Sequence, residues 1–68
     1  MMTHTEALIQ RAEDYRANAR TALDAMHATT LPELREKHRG AAERWLRLAQ
    51  STEAMVRRAE VAGDPADR

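Results

Sequence analysis

Apolar residues return every third or fourth position along nearly the whole chain, in two runs set apart by one short break. In the first run Leu8, Ala12, Tyr15, Ala19, Ala22 and Met26 follow one another at steps of four and three. At about 100° per residue these six fall on one narrow stripe of an α-helix, and Ile9 and Leu23 widen it on one side. In the second run Leu31, Leu34, His38, Ala41, Trp45, Leu48, Thr52, Met55, Ala59 and Ala62 keep the same rhythm. Ala42, Ala49 and Val56 add a third column beside it, so this segment reads as an unbroken heptad run.

Start and stop signals bound both runs. Thr3 and Glu6 have the T-x-x-E spacing of a capping box, in which each side chain satisfies a free backbone N–H of the first turn. Thr30 and Glu33 repeat it, with Pro32 in the first turn, where its missing N–H is not needed. The expected helices are therefore about 3–28 and 31–62. Gly40 falls on the polar side of the second helix, where it weakens the helix by roughly 1 kcal/mol relative to Ala without breaking it. Gly63 supplies a C-terminal cap and Pro65 prevents resumption, which leaves 64–68 as a frayed tail outside a single domain over 1–63.

The two stripes match as an antiparallel hairpin, in which facing residues keep a constant sum of residue numbers. Met26 with Leu34, Ala22 with His38, Ala19 with Ala41, Tyr15 with Trp45, Ala12 with Leu48 and Leu8 with Thr52 all satisfy it about Thr30. The capping signal places the turn there independently. A single continuous helix, or a break at Gly40, are the competing arrangements. Composition agrees with helices: Ala occurs 14 times, Gly and Pro twice each, and the only aromatics are Tyr15 and Trp45.

A hairpin of this size is short of core. Below about 70–80 residues one hydrophobic core supplies only ~3–5 kcal/mol. With no cysteine, neither a disulfide nor a thiolate zinc site can reinforce it. Yet Ile9, Leu23, Leu31, Leu46 and Val56 lie beyond the predicted seam, and a surface that wide marks a partner. The expected assembly is a symmetric dimer forming a four-helix bundle. Its interface would draw on Leu8, Ile9, Tyr15, Leu23, Met26, Leu34, His38, Trp45, Leu46, Leu48, Met55 and Val56. A different helical protein completing the bundle is the alternative partner.

Chemistry is sparse. His38, on the stripe of the second helix, reads as a half-buried histidine hydrogen-bonded across the seam, ahead of a pH-sensitive group or a metal ligand, because no zinc spacing accompanies it. Asp24 and His27 stand three residues apart, but His27 is explained by the helix dipole, which favours a cation in the last turn. Thr52 is expected to bond a backbone carbonyl one turn earlier. Ser51 is the only serine and lacks a triad-like context, and the only glycines, Gly40 and Gly63, form no phosphate loop. No catalytic residue, cofactor or metal is expected, and the chain reads as non-enzymatic.

Charge gives no field to draw nucleic acid or an anionic membrane, since 11 basic side chains balance 11 acidic ones. The local excess of Arg35, Lys37, Arg39, Arg44 and Arg47 is interleaved with carboxylates. Glu33–Lys37, Glu43–Arg47 and Glu53–Arg57 have the favourable i, i+4 order of a salt-bridged solvent face. A nucleic-acid role using this face is the third reading, behind self-association and a helical partner. Apolar runs reach only three residues, as at Ala7-Leu8-Ile9, so no helix spans a bilayer. Met1-Met2-Thr3-His4 does not read as a signal peptide, and a cysteine-free chain fits a reducing cytoplasm.

The run Leu34-Arg35-Glu36-Lys37-His38-Arg39, followed by Ala41-Ala42-Glu43-Arg44-Trp45-Leu46-Arg47-Leu48-Ala49, resembles short uncharacterised bacterial proteins frequent in alphaproteobacteria. Their pattern pairs an Ala/Arg-rich helix containing a Tyr with a second helix in which a Trp follows an Ala by three. The resemblance implies a helical hairpin and carries no catalytic residue.

Overall fold

A computed structural model describes residues 2–62. It contains two α-helices, α1 (His4–Ala28) and α2 (Pro32–Ala62), packed extensively against each other as a hairpin. The bounds agree with the sequence expectation at both C-terminal ends, and each helix starts one residue later than expected. The expected cap at Gly63 and the tail at 64–68 lie outside the described residues.

Thr3 caps α1. Its side chain accepts from the Glu6 N–H at 3.1 Å, and its hydroxyl lies 3.2 Å from Glu6 Oε1. At α2 the expected Thr30–Glu33 box does not form. The residue before a proline is disfavoured in helical conformation, so Leu31 cannot comfortably begin the helix. The helix starts one residue later, at Pro32, and Leu31 becomes the cap, its carbonyl accepting from Arg35 N–H at 2.9 Å. Thr29 instead supplies the hydroxyl, which accepts from Leu31 N–H at 3.2 Å.

Arg35 also reaches back to close α1. Its Nη1 donates to the carbonyls of Thr29 at 3.1 Å and Met26 at 3.4 Å. A helix leaves its last carbonyls unsatisfied and carries partial negative charge at that end, so a guanidinium there answers both needs. One side chain of α2 thereby ties down the turn.

The core is made of small side chains. Leu8, Ala12, Ala19 and Ala22 of α1 and Ala42, Ala49, Thr52 and Val56 of α2 are buried. Of the expected facing pairs Tyr15 and Trp45 meet, stacked with ring centroids 5.9 Å apart and planes inclined by 28°. The rotation of α2 differs from expectation. Its column Ala42, Ala49, Val56 enters the seam, whereas Leu34, Leu48 and Met55, expected to face α1, are exposed at 39%, 44% and 39%. Alanine on both sides lets the backbones approach closely, and the bulkier leucine row is turned outward to permit it.

Helix α2 runs unbroken through Gly40. A methyl group added there would meet only the Arg44 guanidinium, at 3.6 Å, an ordinary van der Waals distance. Replacing a helical glycine by alanine removes backbone freedom from the unfolded chain. Gly40→Ala is therefore expected to stabilise the hairpin by about 0.5–1 kcal/mol, read as a higher midpoint in urea with an unchanged slope. An unchanged or lowered midpoint would contradict this.

Candidate interaction surface

Side chains at intervals of seven share one side of a helix, and two such rows are locked onto the same face by an ion pair. Arg16 donates to both carboxylate oxygens of Glu53, at 2.5 and 2.7 Å. Arg16 stands between Ile9 and Leu23 in one row of α1, and Glu53 follows Arg39 and Leu46 in one row of α2. All of these border the same side of the seam, termed here the Leu23 face. One groove on it, of about 340 Å³, is lined by Ile9, Ala12, Val56 and the Arg16–Glu53 pair among others. A second is lined by Leu23, His27 and Leu46. Leu46, expected outside the hairpin seam, is thus half-buried beside α1 of its own chain, and a change there disturbs the hairpin as well as any partner.

The opposite side, the Leu48 face, carries Leu34, Ala41, Leu48 and Met55 as one row of α2. At its outer edge run Lys37, Arg44, Ser51 and Arg58, all exposed. Helix α1 contributes Arg11, Asn18 and Ala25 beside the seam and Ala7, Asp14 and Thr21 further out. Asp14 accepts from Gln10 Nε2 at 3.2 Å.

Of the other expected interface residues, Leu8 and Val56 are buried, and Tyr15, Met26, His38 and Trp45 are half-buried. His38 makes none of the cross-seam hydrogen bonds expected of it. No buried side-chain nitrogen or oxygen lacks a partner among the described residues, so its ring nitrogens keep access to solvent. Thr52 is 7% exposed and does not bond the preceding turn. The back-bond forms at Thr21, which donates to Ala17 O at 3.1 Å.

The ion pairs also differ from the expected set. Glu53 binds Arg16 rather than Arg57, and Glu43 accepts from Arg39 at 2.8 Å rather than pairing with Arg47. Arg39 bonds Glu36 as well, while Glu33 and Lys37 make no ion pair among the described residues. Two carboxylates thus neutralise the central arginine of the basic stretch, which weakens that stretch as a nucleic-acid surface. The cross-helix Arg16–Glu53 pair could not be read from sequence, because i, i+4 logic sees one helix only. Helical phase does set both residues on one side of the seam, but a register centred on Thr30 levels Arg16 with Arg44 rather than with Glu53.

Glu53 is held below the ordinary carboxylate range, chiefly by its hydrogen bonds from Arg16, with the charges of Arg16 and Arg57 assisting and partial burial opposing. Arg16 is correspondingly raised by Glu53. No group of three or more His, Asp or Glu side chains among the described residues could hold a metal, and no described helix is long and apolar enough to cross a membrane. The chain matches no protein-family model, and no curated protein or solved structure matches it.

Two predictions follow from this geometry. A carboxylate whose pKa falls on folding stabilises the fold above its unfolded value, and the gain is lost as pH drops through the folded value. The melting temperature of wild type should therefore exceed that of Glu53→Gln at pH 7, and the gap should close on acidification. A gap constant from pH 7 to pH 3 would show that the ion pair contributes nothing. For the aromatic pair, a large aromatic in a full core costs roughly 3–5 kcal/mol on truncation to alanine, and half-buried Trp45 should cost about 2–3. A double-mutant cycle with Tyr15→Leu and Trp45→Leu should return a coupling of about 0.5–1.5 kcal/mol, with zero coupling counting against the stack.

Proposed function

We propose that the chain is a non-enzymatic interaction or scaffold protein that self-associates through its heptad faces into a four-helix bundle. The observation that carries this is the shape: the molecule measures 52 × 21 × 10 Å, one layer of helices thick. Stable domains bury their apolar faces between at least two layers. Here the buried set consists mainly of alanines, no large side chain is fully buried, and Leu34, Leu48 and Met55 remain in water. A second hairpin laid on the first supplies the missing layer without any further gene product. A different helical protein could supply it too, and would be indicated if the purified chain were a monomer.

Sedimentation equilibrium is expected to give the mass of a dimer, and the melting temperature should rise with protein concentration, because association draws chains from the unfolded pool. Leu48→Glu removes one leucine from each copy. At about 1.5–3 kcal/mol apiece, the pair should weaken association by about a hundredfold or more. A monomeric mass, with a melting temperature constant over two decades of concentration, would overturn the reading.

A further inference from the structure

Resting on that reading, we infer that the second copy lies on the Leu48 face, related by a two-fold axis parallel to the helices, so that both hairpin turns sit at the same end of the bundle. Three observations lead there.

The first concerns which face is covered. The Leu23 face is crossed by the Arg16–Glu53 ion pair and bordered by Arg39 with its two carboxylates. Covering it would strip water from charges already paired in solvent, a penalty that attraction between them need not repay. Among the described residues no ion pair crosses the Leu48 face, where the row Leu34, Ala41, Leu48, Met55 of α2 stands across the seam from Arg11, Asn18 and Ala25 of α1, and a single guanidinium on a long stem can keep its head in water.

The second is area. A face of 52 × 21 Å offers roughly 1,000 Å² per copy, at or above the ~800 Å² that each partner gives to a stable interface.

The third is charge, and it chooses between the two ways of stacking. If the turns lay at opposite ends, α2 would run along α2 of the second copy. Its outer edge is Lys37, Arg44, Ser51 and Arg58, with no acidic residue, so basic side chains would meet basic side chains at any offset. With the turns together, α2 runs along α1 of the second copy. Asp14 directly precedes Tyr15 and Arg44 directly precedes Trp45, and these two rings stack. One step back along each antiparallel helix separates Asp14 and Arg44 by only about 3 Å in height, within reach of their side chains, on the two outer edges of the same face. An axis parallel to the helices preserves height, and so brings Asp14 of each copy to Arg44 of the other. This is the edge pairing that sets partner orientation in helical bundles. Among the described residues Arg44 forms no ion pair, which leaves it available.

The absence of cysteine makes the test clean. A spin label on Thr30→Cys, at the exposed turn, should give an inter-label distance below about 30 Å, a few helix diameters plus label arms. Opposed turns would separate the labels by about the 52 Å length of the molecule. In parallel, Asp14→Arg should weaken dimerisation several-fold, and adding Arg44→Asp should restore it. A dimer with the long distance, or a double variant no tighter than Asp14→Arg alone, overturns the arrangement and leaves self-association standing. A monomeric wild type overturns both.

Discussion

Close approach of two alanine-lined helix faces determines the rest of this structure. Ala12, Ala19 and Ala22 on one side and Ala42 and Ala49 on the other leave little between the backbones. Dispersion forces reward that proximity, but small side chains remove little apolar area from water. Specificity must therefore come from elsewhere. Tyr15 against Trp45 fixes the height of one helix on the other, the Arg16–Glu53 pair fixes which sides align, and Arg35 fixes the turn. The first two join residues far apart in sequence, whereas Arg35 acts locally, on carbonyls six and nine residues back.

The hairpin itself was legible because two independent signals, the heptad phase and the Thr-Thr-Leu-Pro break, agreed on one turn. The rotation of α2 was not. Its apolar arc has three columns, and periodicity says only that all three lie on one side. Choosing which two face α1 depends on size: Ala42 and Ala49 admit a neighbouring backbone, whereas Leu48 holds it away. Weighing residue volume on each column would have favoured the observed seam. The N-terminus of α2 lies one residue beyond the capping-box expectation for a different reason: Pro32 restricts Leu31 to extended backbone, whatever the T-x-x-E spacing at Thr30.

The interaction surface was partly legible. Ile9 and Leu23 were expected at the margin of α1 and stand there, and Leu48 and Met55 belong to the outward row rather than the seam. Leu46 shows how the rotation of α2 carries such assignments with it. By the expected phase it lies off the seam, yet the rotation that brings Ala42, Ala49 and Val56 inward also turns Leu46 toward α1, where it is half-buried beside Leu23 and His27. For Arg39 the difference is electrostatic. Counted from sequence it belongs to a basic stretch, but Glu36 and Glu43 hold it from one turn on each side, raising its pKa and spending its hydrogen-bond donors locally.

These observations together make the two faces of the hairpin unequal. On one, charged side chains are already paired with each other across the seam between Ile9 and Leu23. On the other, no charge pair among the described residues crosses the seam, and a row of leucine and methionine stands exposed at heptad spacing. The difference originates in the seam. Because alanines take the inner positions of α2, its larger apolar residues are displaced to one flank only, and the charged residues that bind α1 collect on the other. A helix with one apolar stripe and one solvent face would have made a symmetric hairpin; three apolar columns, two of them inward, leave the third exposed along one flank of this one.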